Sequence, residues 1–236
     1  MVYHWLLDRL LPERCALCAA PAAPGGLCPG CRRDLPWLAH ACPRCARPLP
    51  PGAPSGPCGA CQRQPPALDA CIAALAYELP VDRMVQLLKF HGRLDLAPVL
   101  GRLLAEALAE RRPPWPWPDL LLPVPLHRRR LHQRGYNQAL EIARPLARRW
   151  HLALAPQRVR RCRPTPPQSG LDARARRVNL RGAFRVQGRL DGLNLALVDD
   201  VMTTGSTLDA LARALRRRGA RRVEAWVCAR TPPPGP

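Results

Sequence analysis

The stretch Leu195-Ala196-Leu197-Val198-Asp199-Asp200-Val201-Met202-Thr203-Thr204-Gly205-Ser206-Thr207 holds the densest chemical information in this chain. It reads as a buried strand over 193–198 that runs into two adjacent acids. A turn made of hydroxyls and one glycine follows, and a helix opens at about 208. The first N–H groups of a helix have no partner within it, and they carry the positive end of its dipole, so they suit a phosphate. Gly205 permits close backbone approach, and the hydroxyls of Thr203, Thr204, Ser206 and Thr207 add donors. Carboxylates at the C-terminal end of a strand can accept from a ribose diol or hold hydrated Mg²⁺. A helix cap would need far less than this, and the Gly-Lys-Ser/Thr core of a Walker loop is absent.

Around this stretch, apolar runs alternate with helical periods. Strands are expected at 71–77, 120–124, 183–186, 193–198 and 222–228. Helices are expected at 81–90, 94–111, 137–150 and 208–218. Residues 112–118, rich in Pro and Trp, read as an extended connection, and 158–181, rich in Arg and Pro, as a long loop. Strands alternating with helices predict an α/β domain, a parallel sheet flanked by helices, over 67–231. A Pro-rich tail is expected at 232–236 and a leading helix at 1–12. That leading segment carries Asp8 and Arg9 and has no small-residue cleavage site, so it does not read as a secretory signal.

The first quarter of the chain is different. Eight of the 11 cysteines form four C-x-x-C pairs, Cys15/Cys18, Cys28/Cys31, Cys42/Cys45 and Cys58/Cys61, separated by nine, ten and twelve residues. A tight C-x-x-C knuckle turns both sulfurs to one side, and two knuckles complete a four-thiolate zinc shell. Segment 13–66 is therefore expected to be a small module with two structural Zn²⁺ ions. A closed shell leaves no position for a reacting water. Sequential pairing is favoured because it closes shorter loops, although spacing alone also admits a cross-braced arrangement. A disulfide framework is disfavoured, since nothing marks the chain for export. Cys71 and Cys228, in apolar runs, read as core residues.

The chain has 236 residues, 37 basic against 17 acidic, a formal charge of +20. Every basic residue except Lys89 is an arginine. That balance suits phosphate-bearing ligands, including nucleic acid, but genome composition can produce the same bias. No apolar run approaches the length of a membrane helix. The expected setting is cytoplasmic, without membrane insertion. Aromatics are only 5% of residues, which leaves Trp37, Trp115 and Trp117 as the candidate platforms for stacking bases.

The 195–207 stretch resembles the phosphoribosyl-pyrophosphate (PRPP) motif of type I phosphoribosyltransferases. The chain as a whole resembles the ComF family, in which a double zinc ribbon precedes such a domain. The resemblance extends to Leu88-Lys89-Phe90, to Pro123-Val124-Pro125-Leu126 leading to Arg134-Gly135-Tyr136-Asn137-Gln138, and to Thr165-Pro166-Pro167-Gln168 followed by Arg177-Val178-Asn179. It implies that Asp199 and Asp200 bind the ribose hydroxyls of Mg²⁺-PRPP and that Thr203, Thr204, Gly205, Ser206 and Thr207 cradle its 5′-phosphate. Arg134 would contact the diphosphate. Lys89 reads either as a further phosphate contact or as a lysine snorkelling from a helix end. The same resemblance implies a role in natural competence, with single-stranded DNA and competence or recombination proteins as partners. The alternative is an active phosphoribosyltransferase of nucleotide or amine metabolism with no DNA role; no acceptor pocket can be recognised in the sequence.

Overall fold

The computed structural model describes residues 13–22, 25–163 and 182–232. The expected leading helix and the end of the Pro-rich tail lie outside them. So does most of the arginine-rich stretch, including 165–168 and 177–179.

Five parallel strands form the main sheet: β1 (Ala70–Ala76), β2 (Leu120–Pro123), β3 (Ala153–Leu154), β6 (Asn194–Met202) and β7 (Arg222–Arg230), in the order β1-β7-β6-β2-β3. Side chains of a strand alternate between faces, and both faces here are covered, so the strands read as unbroken apolar runs. Ala196, Val198, Trp226 and Cys228 point to one core, with Leu100, Leu104, Ile142 and Leu146. These come from α4 (Leu96–Arg111) and α6 (Gln138–Trp150), while Leu88 of α3 (Val81–Phe90) joins from the side. Leu195, Leu197, Ala225 and Val227 point to the other core, closed by Leu208, Leu211 and Leu215 of α7 (Ser206–Arg216). Cys71 and Cys228 are buried as expected.

Helices α4 and α6 cross closely. A Cβ built at Gly101 would lie 2.4 Å from Pro145 Cγ and 2.9 Å from the Ile142 carbonyl. Glycine is what lets the proline-bearing face of α6 approach.

Three expectations are corrected. Strand β6 does not stop at 198. It continues through both acids to Met202 because β7 supplies partners as far as Arg230. The 158–181 stretch is not loop from its start: a short 3₁₀ turn (Pro156–Arg158) leads into β4 (Val159–Arg161), which pairs antiparallel with β5 (Phe184–Val186). Val159, Phe184 and Val186 bury one side of that arm against the second core. Finally, a helix not expected from the sequence holds Arg128, Arg129, Arg130 and Arg134 ahead of α6: the short α5 (Arg128–Arg134), capped at its start by the His127 ring and ended by left-handed Gly135.

The cysteine module is an internal repeat. Each half opens with a knuckle, Cys15–Cys18 or Cys42–Cys45, followed by an alanine in the left-handed region (Ala19, φ 60°; Ala46, φ 50°). Each then supplies a second pair at the start of a short helix. Cys28 caps α1 (Pro29–Arg33) and Cys58 caps α2 (Gly59–Arg63). The linker between the halves pairs with the free edge of β1, through Leu38 N–H to the Ala74 carbonyl (3.0 Å) and Ala76 N–H to the Pro36 carbonyl (2.8 Å). An edge strand that would otherwise be open is covered.

Candidate functional site

The sheet order places the site. From β2 the chain moves outward to β3, and from β6 it moves the opposite way to β7. The crevice between the C-terminal ends of β2 and β6 is therefore the topological switch point, where ligands bind open parallel sheets. Strand β2 ends at Pro123, whereas β6 runs on with Asp199 to Met202 beyond it. The acids thus stand at the open step of the sheet.

Asp200 is buried, with 3% of its surface exposed, and Asp199 is half-buried. Asp199 Oδ1 accepts the Asp200 N–H at 2.9 Å. Lys89 Nζ, from the last turn of α3, lies 2.5 Å from Asp200 Oδ2. Lys89 therefore does not snorkel to solvent; it turns inward as the counter-ion of the acid pair. Burial, the largest single influence, would raise the pKa of Asp200, but the charge and hydrogen bond of Lys89, with hydrogen bonds from Asp199 and the Val201 backbone, together hold that carboxyl below the usual range. Asp199 is pushed well above the usual range by burial and then by the charge of Asp200. The two carboxyls thus titrate as one coupled pair beside the Lys89 ammonium, with the proton favouring Asp199.

Arg134 stands at the end of α5, half-buried. Its guanidinium packs over the Phe90 ring (5.4 Å to the centroid) and donates to Gln138 Oε1 at 2.5 Å. Burial lowers its pKa, and the field of Asp200 partly offsets this. Arg134 thus lies within the field of Asp200, the acid that Lys89 contacts directly. Tyr136 Oη donates to the Leu88 carbonyl and Asn137 Nδ2 donates to the Val124 carbonyl (3.1 Å), tying the 124–137 segment to α3 and to the end of β2.

Below the acids, residues 203–205 turn into α7. Gly205 is left-handed (φ 80°), a conformation that favours glycine, and the space where a Cβ would stand is filled by the flexible end of Met202, its Cε 2.3 Å away. Thr204 Oγ1 and Ser206 Oγ lie 2.9 Å apart over the helix start. Together with Asp199, Val201 and Leu208, residues 202–207 line a cavity of about 40 Å³. The one acid in the first turn, Asp209, is directed away. It accepts the Ala67 N–H at 2.7 Å and pairs with Arg213 at 3.0 Å, which leaves the cradle free of negative charge.

The cysteines gather sequentially: Cys15, Cys18, Cys28 and Cys31 in one cluster, and Cys42, Cys45, Cys58 and Cys61 in the other, with all sulfurs of a cluster within 4.8 Å of one another. A tetrahedral Zn–S bond of about 2.3 Å implies an S–S edge of about 3.8 Å. Cys18–Cys28 at 3.7 Å and Cys45–Cys58 at 3.8 Å fit that edge. Crowding sets the thiols of a cluster apart: Cys42 is drawn down to about 4 by the neighbouring Cys45 thiol, while burial pushes Cys61 up to about 12. These two sets of four cysteines would hold the two structural zinc ions, closed sites with no open position for catalysis.

Arg230 was missed in the sequence. A cation ending a nine-residue buried strand was the available signal. Its buried guanidinium donates to the Cys45 carbonyl (2.9 Å), to the Met202 carbonyl (3.0 Å) and to the Thr203 carbonyl. The three tryptophans considered as base platforms each have a packing partner, and Trp117 stays exposed. Trp37 packs under Arg32, Trp115 under Arg222, and Trp117 stacks on Trp150 at 4.7 Å.

A phosphoribosyltransferase-type sheet carrying a double zinc ribbon is the class that fold and site define. Residues 6–62 match the double zinc ribbon domain and residues 137–233 the phosphoribosyl transferase domain. The chain is 39% identical to the DNA utilization protein YhgH of Salmonella typhi over 225 residues, 94% of this chain and 98% of the relative. It is 34% identical to competence protein F of Haemophilus influenzae, covering 88% and 92% of the two chains. Competence protein ComFC of Bacillus subtilis shows 32% identity over 44% of this chain and 42% of its own. The chain belongs to the ComF/YhgH family. Among solved structures, a purine phosphoribosyltransferase from Pyrococcus horikoshii is similar at a TM-score of 0.33 and 19% identity, over 56% of this chain and 70% of its own; the fold assignment rests on the sheet itself.

Proposed function

We propose that this protein binds PRPP with Mg²⁺ at the β2/β6 crevice and acts in the handling of DNA during competence, in the cytoplasm. The observation that carries the reading is the acid pair at the switch point, directly above a glycine-opened helix start. Asp199 and Asp200 would accept the ribose hydroxyls, and residues 203–207 would hold the 5′-phosphate. Arg134 would face the diphosphate, with Lys89 as the second cation beside it. Hard carboxylate oxygens at the crevice fit a Mg²⁺ ion, which when bound neutralises diphosphate charge. What the chain itself does is orient the sugar and supply guanidinium donors suited to phosphate oxygens.

The names of the relatives, DNA utilization protein and competence protein, support the DNA part of this reading, as does the arginine surface. With 37 basic residues and few aromatics, strand contacts would be made mainly to phosphates.

Thermal melting tests the binding. At a concentration 100 times its Kd, a ligand adds about 2.7 kcal/mol to the stability of the state it binds. PRPP with Mg²⁺ should raise the melting temperature of the wild type and leave Asp200→Asn unmoved. Pyrophosphate release across a panel of purine, pyrimidine and amine acceptors then separates a PRPP-binding adaptor from an active transferase.

A further inference from the structure

The two zinc ribbons dock in different places. The first sits on α4, through Arg32 to Glu106 (2.6 Å) and the close approach of Gly26 to Val99. The second lies beside the phosphate loop, where Cys45, Ala60 and Cys61 line one cavity with Met202, Thr204 and Gly205. It is anchored at β1, where Cys71 N–H donates to the Pro43 carbonyl (2.8 Å) and Arg44 donates to the Leu68 carbonyl (2.9 Å), while Ala67 N–H, just past the ribbon, donates to Asp209 in the first turn of α7. Met202, whose methyl fills the space beside Gly205, lies with its sulfur 3.4 Å from Cys71 Sγ.

Arg230 joins these parts. It is 96% buried and no carboxylate is paired with it among the described residues. Its guanidinium is satisfied by carbonyls alone: that of Cys45, a ligand of the second cluster, and those of Met202, Thr203 and Thr231 in and beside the loop. A buried cation without a counter-ion is costly. Four thiolates around Zn²⁺ carry a net charge of −2, and that charge would lie beside Arg230.

We propose that Arg230 is a positioning residue through which the second zinc ribbon, and not the first, sets the conformation of the 202–205 loop. The proposal rests on the PRPP reading only for what the loop binds, not for the coupling itself. Arginine is required because one planar fork spans carbonyls on two separate segments, which a lysine ammonium on a flexible stem cannot reproduce. Coupling between two sites is reciprocal, so a ligand on the loop would in turn tighten zinc in the second ribbon.

Hydrogen–deuterium exchange on the zinc-loaded full chain tests this without requiring any loop ligand. Cys58→Ser should speed amide exchange at 203–207 by about tenfold, through easier local opening of a loop the ribbon no longer holds. Cys28→Ser should speed exchange in 15–31 and leave 203–207 unchanged. Arg230→Lys should loosen 203–207 while the first ribbon keeps its zinc. Release of zinc from wild type to a chromogenic chelator should show one of the two ions retained longer when PRPP and Mg²⁺ are present. Equal acceleration of the loop by both cysteine variants, or a loop unchanged in both Cys58→Ser and Arg230→Lys, would overturn the coupling. If the wild type gains no zinc retention and no melting shift from PRPP, the ligand assignment fails, while the exchange pattern still decides the coupling.

Discussion

Asp199 is the residue whose environment conflicts most with its charge. Its pKa is raised on folding, so the stability it contributes is complete below the ordinary carboxylate pKa and is lost as pH rises through the raised value. Asp199→Asn should therefore stabilise the ligand-free protein by about 1 kcal/mol at pH 8 and have little effect near pH 4, while removing PRPP binding. Urea titrations at the two pH values measure it. Asp200 has the opposite sign: its depressed pKa adds stability above the ordinary carboxylate pKa, and this is lost as pH falls. Removing its partner strands a buried charge. Lys89→Met should cost about 3 kcal/mol at neutral pH, a loss that shrinks as Asp200 takes up a proton in acid. None of this pairing was legible in the sequence. Lys89 and Asp200 are more than a hundred positions apart, and the Leu88-Lys89-Phe90 run shows no direction for its lysine until α3 is packed.

At the scale of elements, strand and helix order was legible because each face of the sheet is buried and each helix has one apolar side. The four C-x-x-C pairs were legible because metal-ligand spacing is local. Ends were not. Strand β6 outruns its apolar stretch because β7, a distant segment in sequence, pairs with Asp199, Val201 and Met202, while the Asp200 N–H is taken by the Asp199 side chain. The β4–β5 arm hid within arginines because only Val159, Phe184 and Val186 are buried. The α4–α6 crossing gives a test of packing. Gly101→Ala should cost about 2 kcal/mol by forcing the helices apart. Adding Pro145→Ala should return part of that, so the two changes measured in a double-mutant cycle should be clearly non-additive.

For the whole molecule, charge and zinc decide behaviour. Eight thiolates and two Zn²⁺ would contribute about −4 against a formal +20, so the loaded protein stays strongly basic. Contacts made to phosphates should give single-strand binding whose logarithm falls with log salt by about 0.7 for each phosphate neutralised, with little preference between thymine and adenine oligomers. A titration of labelled strands across salt concentrations checks both. Among the described residues no helix is long and apolar enough to cross a membrane.

The account stands on the crevice between β2 and β6. Calorimetry of PRPP into zinc-loaded full-length protein, with Mg²⁺ present, addresses it directly. A single saturable binding event is predicted, absent when Mg²⁺ is chelated and absent in Asp199→Asn/Asp200→Asn. No heat from the folded wild type, or the same heat from the double variant, would contradict it.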